Sequence, residues 1–354
     1  MVRKLKKIVI DGIFLTKQVT GIQRYAIEIT KELDKLVTKE DDISLLTPEY
    51  YSGDFGLNNI PIVKYGKRSG RMWEQTDLPD YLKKEKAEGL FFENTIPLSY
   101  RKGIVVIHDV SLRANPDLFN KSLHNISSII WRRILYRTVT DSRMKIITVS
   151  NFSKTEIEKY YKVSGKRIAV VYNAWQHMNN VEANEGVFAD DRIKKNDYYF
   201  AMATLAPNKN FKWITSAAEQ NPEETFVIAG GGKIKDVISA EYSNLKNLIY
   251  LGYVSDEDAK ALMGNCKAFL FLSFYEGFGI PPLEAVASGA AGIIISDTPC
   301  MHEVYGEDGT YIDPHDYQID MKQIDIVKVD RERLLGKYSW EKSAGKLKRL
   351  LERI

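Results

Sequence analysis

The sequence has few cysteines and lacks long apolar runs. Only Cys266 and Cys300 occur in 354 residues, which argues against a disulfide framework and favours a reducing compartment. No apolar stretch approaches the ~18 residues of a transmembrane helix, and Asp11 interrupts the apolar start at Ile8, which argues against a signal peptide. The 23 glycines and 11 prolines follow no period, so a collagen-like repeat is excluded. We therefore expect a folded cytoplasmic protein.

The net charge is small but unevenly distributed. Its formal value is +3, yet residues 1–180 contain 30 basic and 20 acidic side chains, and residues 181–354 contain 20 and 27. This asymmetry indicates an anionic partner for the first half, either phosphates, nucleic acid or a membrane surface. No recognition motif accompanies the positive charge, so nucleic-acid binding is not expected. Residues 126–137 fit either a core helix or a basic helix on an anionic membrane, which leaves peripheral contact with the inner leaflet open.

Short β-branched runs alternate with helical patterns along the chain, which predicts an α/β fold with parallel sheets covered by helices. The predicted strands are 7–14, 43–47, 89–93, 103–108, 145–149, 167–172, 198–203, 225–230, 247–251, 267–272 and 291–296. The predicted helices are 22–37, 72–84, 121–138, 151–161, 210–220, 233–241, 256–264, 281–288 and 337–354.

The pattern predicts two domains. Periodicity is lost over residues 174–196, within which we place a linker at 179–196. A first Rossmann-like domain would cover 1–178 and a second would cover 197–336, and the helix at 337–354 could pack back on the first. Ligands of open parallel sheets bind beyond the carboxyl ends of the strands, so two such domains facing each other would form a cleft.

One segment contains residue types that can bind an anionic ligand and sugar hydroxyls. After the strand at 267–272, a loop leads into a helix near Pro281, and the N–H groups of the residues before it suit an anion such as a diphosphate. Glu276 precedes this helix and Glu284 lies about one turn into it. Carboxylates accept charge-assisted hydrogen bonds from sugar hydroxyls, so both could contact one ligand. From the residues alone, a helix-capping Glu276 and a solvated Glu284 are an equal alternative.

The stretch EGFGIPPLEA resembles the E-x7-E signature of retaining glycosyltransferases of family 4, which have the GT-B fold of two Rossmann-like domains facing across a cleft. Other segments resemble family elements in family order, namely 21–25, 73–75, 108–109, 148–154, 203–210 and 251–255. The resemblance covers nearly the whole chain, and only the linker and residues 317–336 are indistinct.

The resemblance implies that residues 1–178 form the acceptor-side domain and that residues 197–336 form the nucleotide-sugar-binding domain. It also implies roles for residues of this second domain. Glu276 would contact the donor sugar where the glycosidic bond forms, Glu284 would hold the ribose, and Lys209 would neutralise the leaving diphosphate. Main-chain groups of Phe278, Gly279 and Ile280 would contact the sugar and the diphosphate. Tyr253 and Val254 would lie in a turn that surrounds the base.

The resemblance also implies two contributions from the first domain. Gly21 would lie in a loop that lets backbone approach the phosphates, and His108 would sit beside the transferring sugar. One departure concerns the second domain: where the family usually pairs an arginine with the lysine, this chain has Thr204 and Asn208 in the donor loop. Either Arg24 replaces the missing cation or the donor binds more weakly.

The implied function is a retaining, metal-independent glycosyltransferase. It would move a sugar from a GDP-, UDP- or dTDP-sugar to a hydroxyl of a glycan or lipid-linked acceptor, without a further cofactor, in bacterial cell-surface polysaccharide synthesis. The D-x-D at Asp256 follows Ser255 and is expected to be the first turn of a helix instead of a metal site. Two alternatives stay open: a nucleotide-sugar hydrolase or epimerase of the same fold, and a non-catalytic nucleotide-sugar-binding partner.

Overall fold

A computed structural model describes residues 6–119, 130, 133–134, 136–140, 144–202, 206–231 and 245–354. The chain divides into two compact units. Unit 1 contains Met1–Asn173 and Ser339–Ile354, and unit 2 contains Ala174–Tyr338. Three predictions lie outside the described residues: Thr204, the helix at 233–241 and most of the helix at 121–138.

Unit 1 is built on one parallel sheet of seven strands in the order β3-β2-β1-β4-β5-β6-β7. The central strands are almost wholly buried, because helices cover both faces of such a sheet and the strands are continuous apolar runs. The strands are β1 Ile8–Asp11, β2 Ile43–Thr47, β3 Ile62–Lys64, β4 Glu88–Phe91, β5 Gly103–Val106, β6 Lys145–Thr148 and β7 Ile168–Val170.

The helices of unit 1 connect these strands. Among the helices that the structure describes in this unit, α1 is the longest, and it buries Tyr25, Ala26, Ile29 and Leu33 at helical spacing on one face. The helices are α1 Gly21–Leu36, α2 Gly70–Gln75, α3 Asp77–Glu85, α4 Ser111–Ala114, α5 Pro116–Phe119 and α6 Asn151–Tyr161.

Unit 2 contains a second parallel sheet, in the order β10-β9-β8-β11-β12-β13. Its strands are β8 Tyr198–Met202, β9 Thr225–Ala229, β10 Leu248–Gly252, β11 Ala268–Phe271, β12 Ile293–Ser296 and β13 Thr310–Ile312. Its helices are α7 Phe211–Gln220, α8 Asp256–Gly264, α9 Ile280–Ser288, α10 Pro299–Tyr305 and α11 Arg331–Gly336. The predicted α/β class with two Rossmann-like sheets is confirmed.

Two predicted elements differ in the structure. The strand predicted over 7–14 ends at Asp11, because the Asp11 side chain accepts a hydrogen bond from the Ile13 N–H at 3.1 Å and starts a 3₁₀ turn over Gly12–Thr16. The single helix predicted over 72–84 is two helices, α2 and α3. Thr76 separates them with a non-helical backbone (φ −126°, ψ −65°).

The two compact units divide between Asn173 and Ala174. The aperiodic segment 174–196, which includes the predicted linker, belongs to unit 2 and contains two 3₁₀ turns, Gln176–Asn180 and Glu185–Ala189. Its backbone is fixed on α8: the Asn184 N–H donates to the Glu257 carbonyl at 3.0 Å, and Lys260 donates to two carbonyls of the segment at 2.7 and 2.8 Å. Irregular backbone without periodicity can therefore be firmly packed.

The last helix, α12 (Trp340–Leu351), belongs to unit 1. Trp340 is 2% exposed and meets Tyr25 of α1 edge-to-face, with ring centroids 5.9 Å apart. Ser343 Oγ donates to the Tyr172 carbonyl at 2.8 Å, and Lys348 Nζ donates to the Leu36 carbonyl at 2.7 Å. Unit 1 is thus completed by the end of the chain. Throughout the described ranges, every helix is too short or too polar to span a bilayer.

Truncation of Trp340 to alanine should lower the free energy of unfolding of unit 1 by about 3–5 kcal/mol, because a large side chain is lost from a closed core. Urea unfolding followed by far-UV circular dichroism measures this change. Lys346→Ala, on the exposed face of the same helix, is the matched control and should shift the value by less than about 0.5 kcal/mol. Equal effects of the two substitutions would contradict the packing role of α12.

Candidate functional site

Two loops of unit 2 are joined where β8 and β11, neighbours in the sheet, reach their carboxyl ends. Asn208 Nδ2 in the first loop donates to the Tyr275 carbonyl in the second at 3.1 Å. Asn210 Nδ2 donates to the carbonyls of Leu272 and Pro314 at 3.1 and 2.8 Å. Both asparagines are buried, so their amides must be satisfied within the protein. These bonds fix the position of the residue between them.

That residue, Lys209, forms an ion pair with Glu276. Lys209 Nζ lies 2.5 Å from Glu276 Oε1, and the two side chains are 18% and 14% exposed. The same ammonium lies 5.3 Å from the centroid of the Phe271 ring. A charge-assisted hydrogen bond in a largely desolvated place is stronger than a surface pair. The structure therefore brings together two residues that separate sequence motifs predicted as catalytic.

The segment after Glu276 forms the start of α9. Gly279 caps the helix with a left-handed backbone (φ 81°), and a Cβ atom there would lie 2.7 Å from the Met301 Cε. Its carbonyl accepts a hydrogen bond from the Tyr305 hydroxyl. Phe278 is buried and meets Tyr338 edge-to-face with centroids 5.1 Å apart. The first-turn N–H groups of a helix have no intrahelical acceptor. The N-terminus of α9, which begins at Ile280, is therefore suited to binding an anion.

Glu284 is paired with a histidine that the sequence analysis did not select. His177 Nε2 lies 2.8 Å from Glu284 Oε1, and both side chains are largely buried. The solvated alternative for Glu284 is therefore wrong. No motif could reveal this pair, because His177 lies 107 positions earlier in a segment without periodicity. The contact orients the carboxylate through one of its two oxygens.

The turn after β10 contains the two residues predicted to frame a base. Gly252 has φ 71°, and its carbonyl accepts the Gly230 N–H at 2.7 Å, which holds the turn against β9. Tyr253 is 68% exposed, so its ring surface is accessible for stacking, and Val254 is partly buried.

The predicted start of α8 is also found. Ser255 caps this helix and accepts from the Asp258 N–H at 3.1 Å. Asp256, Glu257 and Asp258 form its first turn, where acidic side chains complement the helix dipole. Within the ranges described above, no cluster of three or more His, Cys, Asp or Glu side chains is placed to hold a metal ion.

His108 and Gly21 belong to unit 1 and form a separate group. His108 follows β5 and is 7% exposed; its Nε2 lies 2.8 Å from the Phe92 carbonyl, and Tyr25 meets its ring at 5.1 Å. Because a carbonyl only accepts, Nε2 must carry the proton. Burial lowers the pKa of His108 below its ordinary value. Gly21 is the first residue of α1, so its predicted place in a loop is wrong.

The missing arginine has a partial structural explanation. At one of the two substituted positions, Asn208 joins the loops through its buried amide. The other, Thr204, lies outside the described residues. Arg24, the suggested replacement, belongs to α1 of unit 1, where its Nη1 lies 3.8 Å from Glu28 Oε1.

His108 should titrate below the ordinary histidine pKa of about 6.5, because burial penalises its charged form. The unfolded chain then takes up a proton that the folded chain does not, so the stability of unit 1 should fall as the pH falls from about 6.5 toward the lowered pKa. NMR titration of the imidazole Hε1 signal measures this. A pKa at or above 6.5 would contradict a buried neutral ring.

Gly279→Ala should lower the thermal stability of unit 2, since it places a side chain at φ 81° and a Cβ atom against Met301. Calorimetry of unit 2 unfolding measures the loss, which we expect at about 1–2 kcal/mol or more. Gly336→Ala is the control, because nothing lies within 4 Å of the added Cβ at that helical position. A neutral Gly279→Ala would show that the left-handed cap is dispensable.

Family comparisons agree with this arrangement. A family model described as Glycosyltransferase Family 4 matches residues 19–175, and one described as Glycosyl transferases group 1 matches residues 185–335. The first match lies within unit 1 except for two residues, and the second lies within unit 2. Together they include most of the chain.

Individual proteins give the same result. The chain is 30% identical over 228 residues to the O-antigen chain mannosyltransferase RfbU of Salmonella typhimurium, which covers 63% of this chain and 60% of that protein. It is 26% identical over 339 residues to the O-antigen chain mannosyltransferase B of Escherichia coli, with 84% of each covered. The solved structure of a sucrose-phosphate synthase from Thermosynechococcus elongatus matches with a TM-score of 0.72 at 12% identity, over 98% of each chain. The chain therefore belongs to the family 4 glycosyltransferases and has their GT-B fold of two Rossmann-like domains.

Proposed function

We propose that this chain transfers a mannosyl residue from a nucleotide-diphosphate donor to a hydroxyl of a growing glycan or lipid-linked acceptor, with retention of the anomeric configuration. The observation that carries the proposal is the Lys209–Glu276 pair beside the N-terminus of α9. The choice of mannose rests on the names of the two O-antigen relatives. We propose that this transfer takes place in polysaccharide synthesis, as the names of these relatives suggest.

The chemistry follows from the charges of these groups. A diphosphate gains negative charge as it leaves, and the N-terminus of a helix carries about half a positive charge. Lys209 adds a full positive charge. When the donor binds, the Lys209 ammonium would leave its ion pair with Glu276 and form one with the diphosphate. Glu276 would then be released to accept hydrogen bonds from the sugar. Because Lys209 and α9 supply the stabilisation, the proposed reaction uses no metal ion.

The remaining groups would orient the donor. Glu284, held through Oε1 by His177, would accept from the ribose hydroxyls, and the exposed Tyr253 would lie against the base. His108 would contribute a neutral imidazole whose Nδ1 accepts a proton or hydrogen bond, since Nε2 is committed to Phe92. A cytoplasmic location, with or without peripheral membrane contact, stays a prediction.

A thermal-shift screen against GDP-mannose, GDP-glucose, UDP-glucose and dTDP-rhamnose tests the donor class. A donor at 100 times its Kd stabilises the folded protein by about 2.7 kcal/mol, so GDP-mannose should raise the melting temperature most. NMR of the product should show the anomeric configuration of the donor, and activity should persist in EDTA. Free mannose or an epimer formed without acceptor would instead support a hydrolase or epimerase.

Glu276→Ala should reduce kcat for transfer by at least about 100-fold, because it removes the carboxylate nearest the reacting sugar. Circular dichroism should show an intact fold. Glu307→Ala, at a carboxylate whose side chain is 88% exposed, is the matched control and should keep normal activity. A folded Glu276→Ala protein with near-normal turnover would refute the assignment.

A further inference from the structure

Glu284 of α9 is held by a buried histidine from the irregular segment at the start of unit 2. His177 Nε2 lies 2.8 Å from Glu284 Oε1, and the two side chains are 4% and 13% exposed. An ionised carboxylate only accepts hydrogen bonds, so Nε2 carries the proton and donates it. A charge-assisted hydrogen bond that is shielded from water is stronger than one at the surface. The contact therefore restricts the Glu284 carboxylate to one orientation.

The backbone that carries His177 is anchored on both sides of this residue. Just before it, the side chains of Trp175 and Gln176 donate to main-chain carbonyls of α11 and of the segment after α11, both at 2.9 Å. Just after it, Lys260 of α8 donates to two main-chain carbonyls at 2.8 and 2.7 Å. The imidazole therefore reaches Glu284 from a fixed position, and the carboxylate cannot move by carrying the histidine with it.

The two oxygens of the Glu284 carboxylate have different surroundings. Oε1 accepts from His177, whereas Oε2 has no hydrogen-bond partner among the residues that the structure describes. Carboxylate oxygens that are largely withdrawn from water are nearly always paired with a donor. Glu284 thus has one oxygen committed to the protein and one available to a hydroxyl of a ligand.

A fixed acceptor discriminates between ligands more sharply than a mobile one. When a ligand lacks a hydroxyl, a mobile carboxylate can turn to water, but a fixed one is left without a donor. Ordering the carboxylate before the ligand arrives also removes part of the entropic cost of binding. A residue that fixes Glu284 therefore affects the selectivity of the site as well as its affinity.

We propose that His177 is a positioning residue that makes Glu284 select ribonucleotides over 2′-deoxyribonucleotides. The inference rests on the proposed function for the contact between Glu284 and the ribose, and it adds the residue that gives this contact its selectivity. GDP- and UDP-sugars carry the 2′-hydroxyl and are accepted. A dTDP-sugar lacks this hydroxyl and is rejected.

Titration calorimetry on the full-length protein with GDP and 2′-deoxy-GDP, repeated with UDP and 2′-deoxy-UDP, tests the inference. The wild type should bind the ribonucleotide at least about 10-fold more tightly, because the deoxy form leaves a shielded acceptor unpaired. His177→Asn, whose shorter amide does not reach Glu284 Oε1, should reduce this ratio to less than about threefold. His177→Gln, whose amide nitrogen takes the place of Nε2, should restore the ratio to within about twofold of the wild type.

Kinetics and a second histidine provide the controls. The donor KM of His177→Asn should rise about 10-fold while kcat stays within about twofold, because a ribose contact is equal in the ground and transition states. His302→Asn is the matched control: His302 Nε2 lies 2.6 Å from Asp297 Oδ1 in the same unit, but these side chains are 51% and 58% exposed. An exposed pair orients its carboxylate weakly, so the ribonucleotide preference should not change.

The outcomes separate this inference from the proposed function. An unchanged preference in folded His177→Asn, or an equal loss in His177→Asn and His177→Gln, would refute the positioning role alone if transfer is normal. A preference that depends on His177, in a protein that transfers no sugar, would support the positioning role and refute the proposed function. If His177→Asn fails to fold, the wild type still decides: the NMR signal of the His177 Nε2–H proton should shift more with GDP than with 2′-deoxy-GDP, and equal shifts or none would refute the inference.

Discussion

Parallel strands that are buried on both faces leave room for polar side chains only where the strands end, and both units depend on this constraint. In unit 1 Asp11 is the last residue of β1, and Glu93 and His108 follow β4 and β5. In unit 2 Lys209 and Glu276 follow β8 and β11. Carboxyl ends of neighbouring parallel strands meet at one edge, so residues distant in sequence become close. Because the strands are apolar and buried, charged side chains are placed together at the carboxyl ends of the strands.

Charge at these edges is organised by neutral amides. Asn208 and Asn210 join two loops of unit 2, and Asn94 joins the segment after β4 to the backbone of His108. A buried amide can donate and accept at once without the desolvation penalty of an ion. At position 208 this structural use replaces the cation that the resemblance implied. These amides fix the backbone of the loop that places Lys209 beside Glu276.

The structure changes how the uneven charge of the two halves of the sequence is interpreted. The basic excess of residues 1–180 suggested an anionic partner, but a cavity in that unit is lined by two carboxylates, Glu74 and Glu93, and by two cations, Lys17 and Arg71. Net charge describes the long-range field of a domain, whereas a small cavity is governed by the few groups in its wall. The surface excess therefore carries no information about the charge inside this cavity.

The sequence by itself determined the fold class and most strand and helix positions, because apolar periodicity is a local property. The family resemblance singled out Lys209 and Glu276 separately, and only the structure pairs them. The sequence did not determine the break at Thr76 or the end of β1 at Asp11, where single side-chain and backbone conformations override the pattern. Only the tertiary structure paired Glu284 with His177 and enclosed Glu74 beside Asn94. Those contacts join distant segments, and no local periodicity encodes which loops meet at the edge of a sheet.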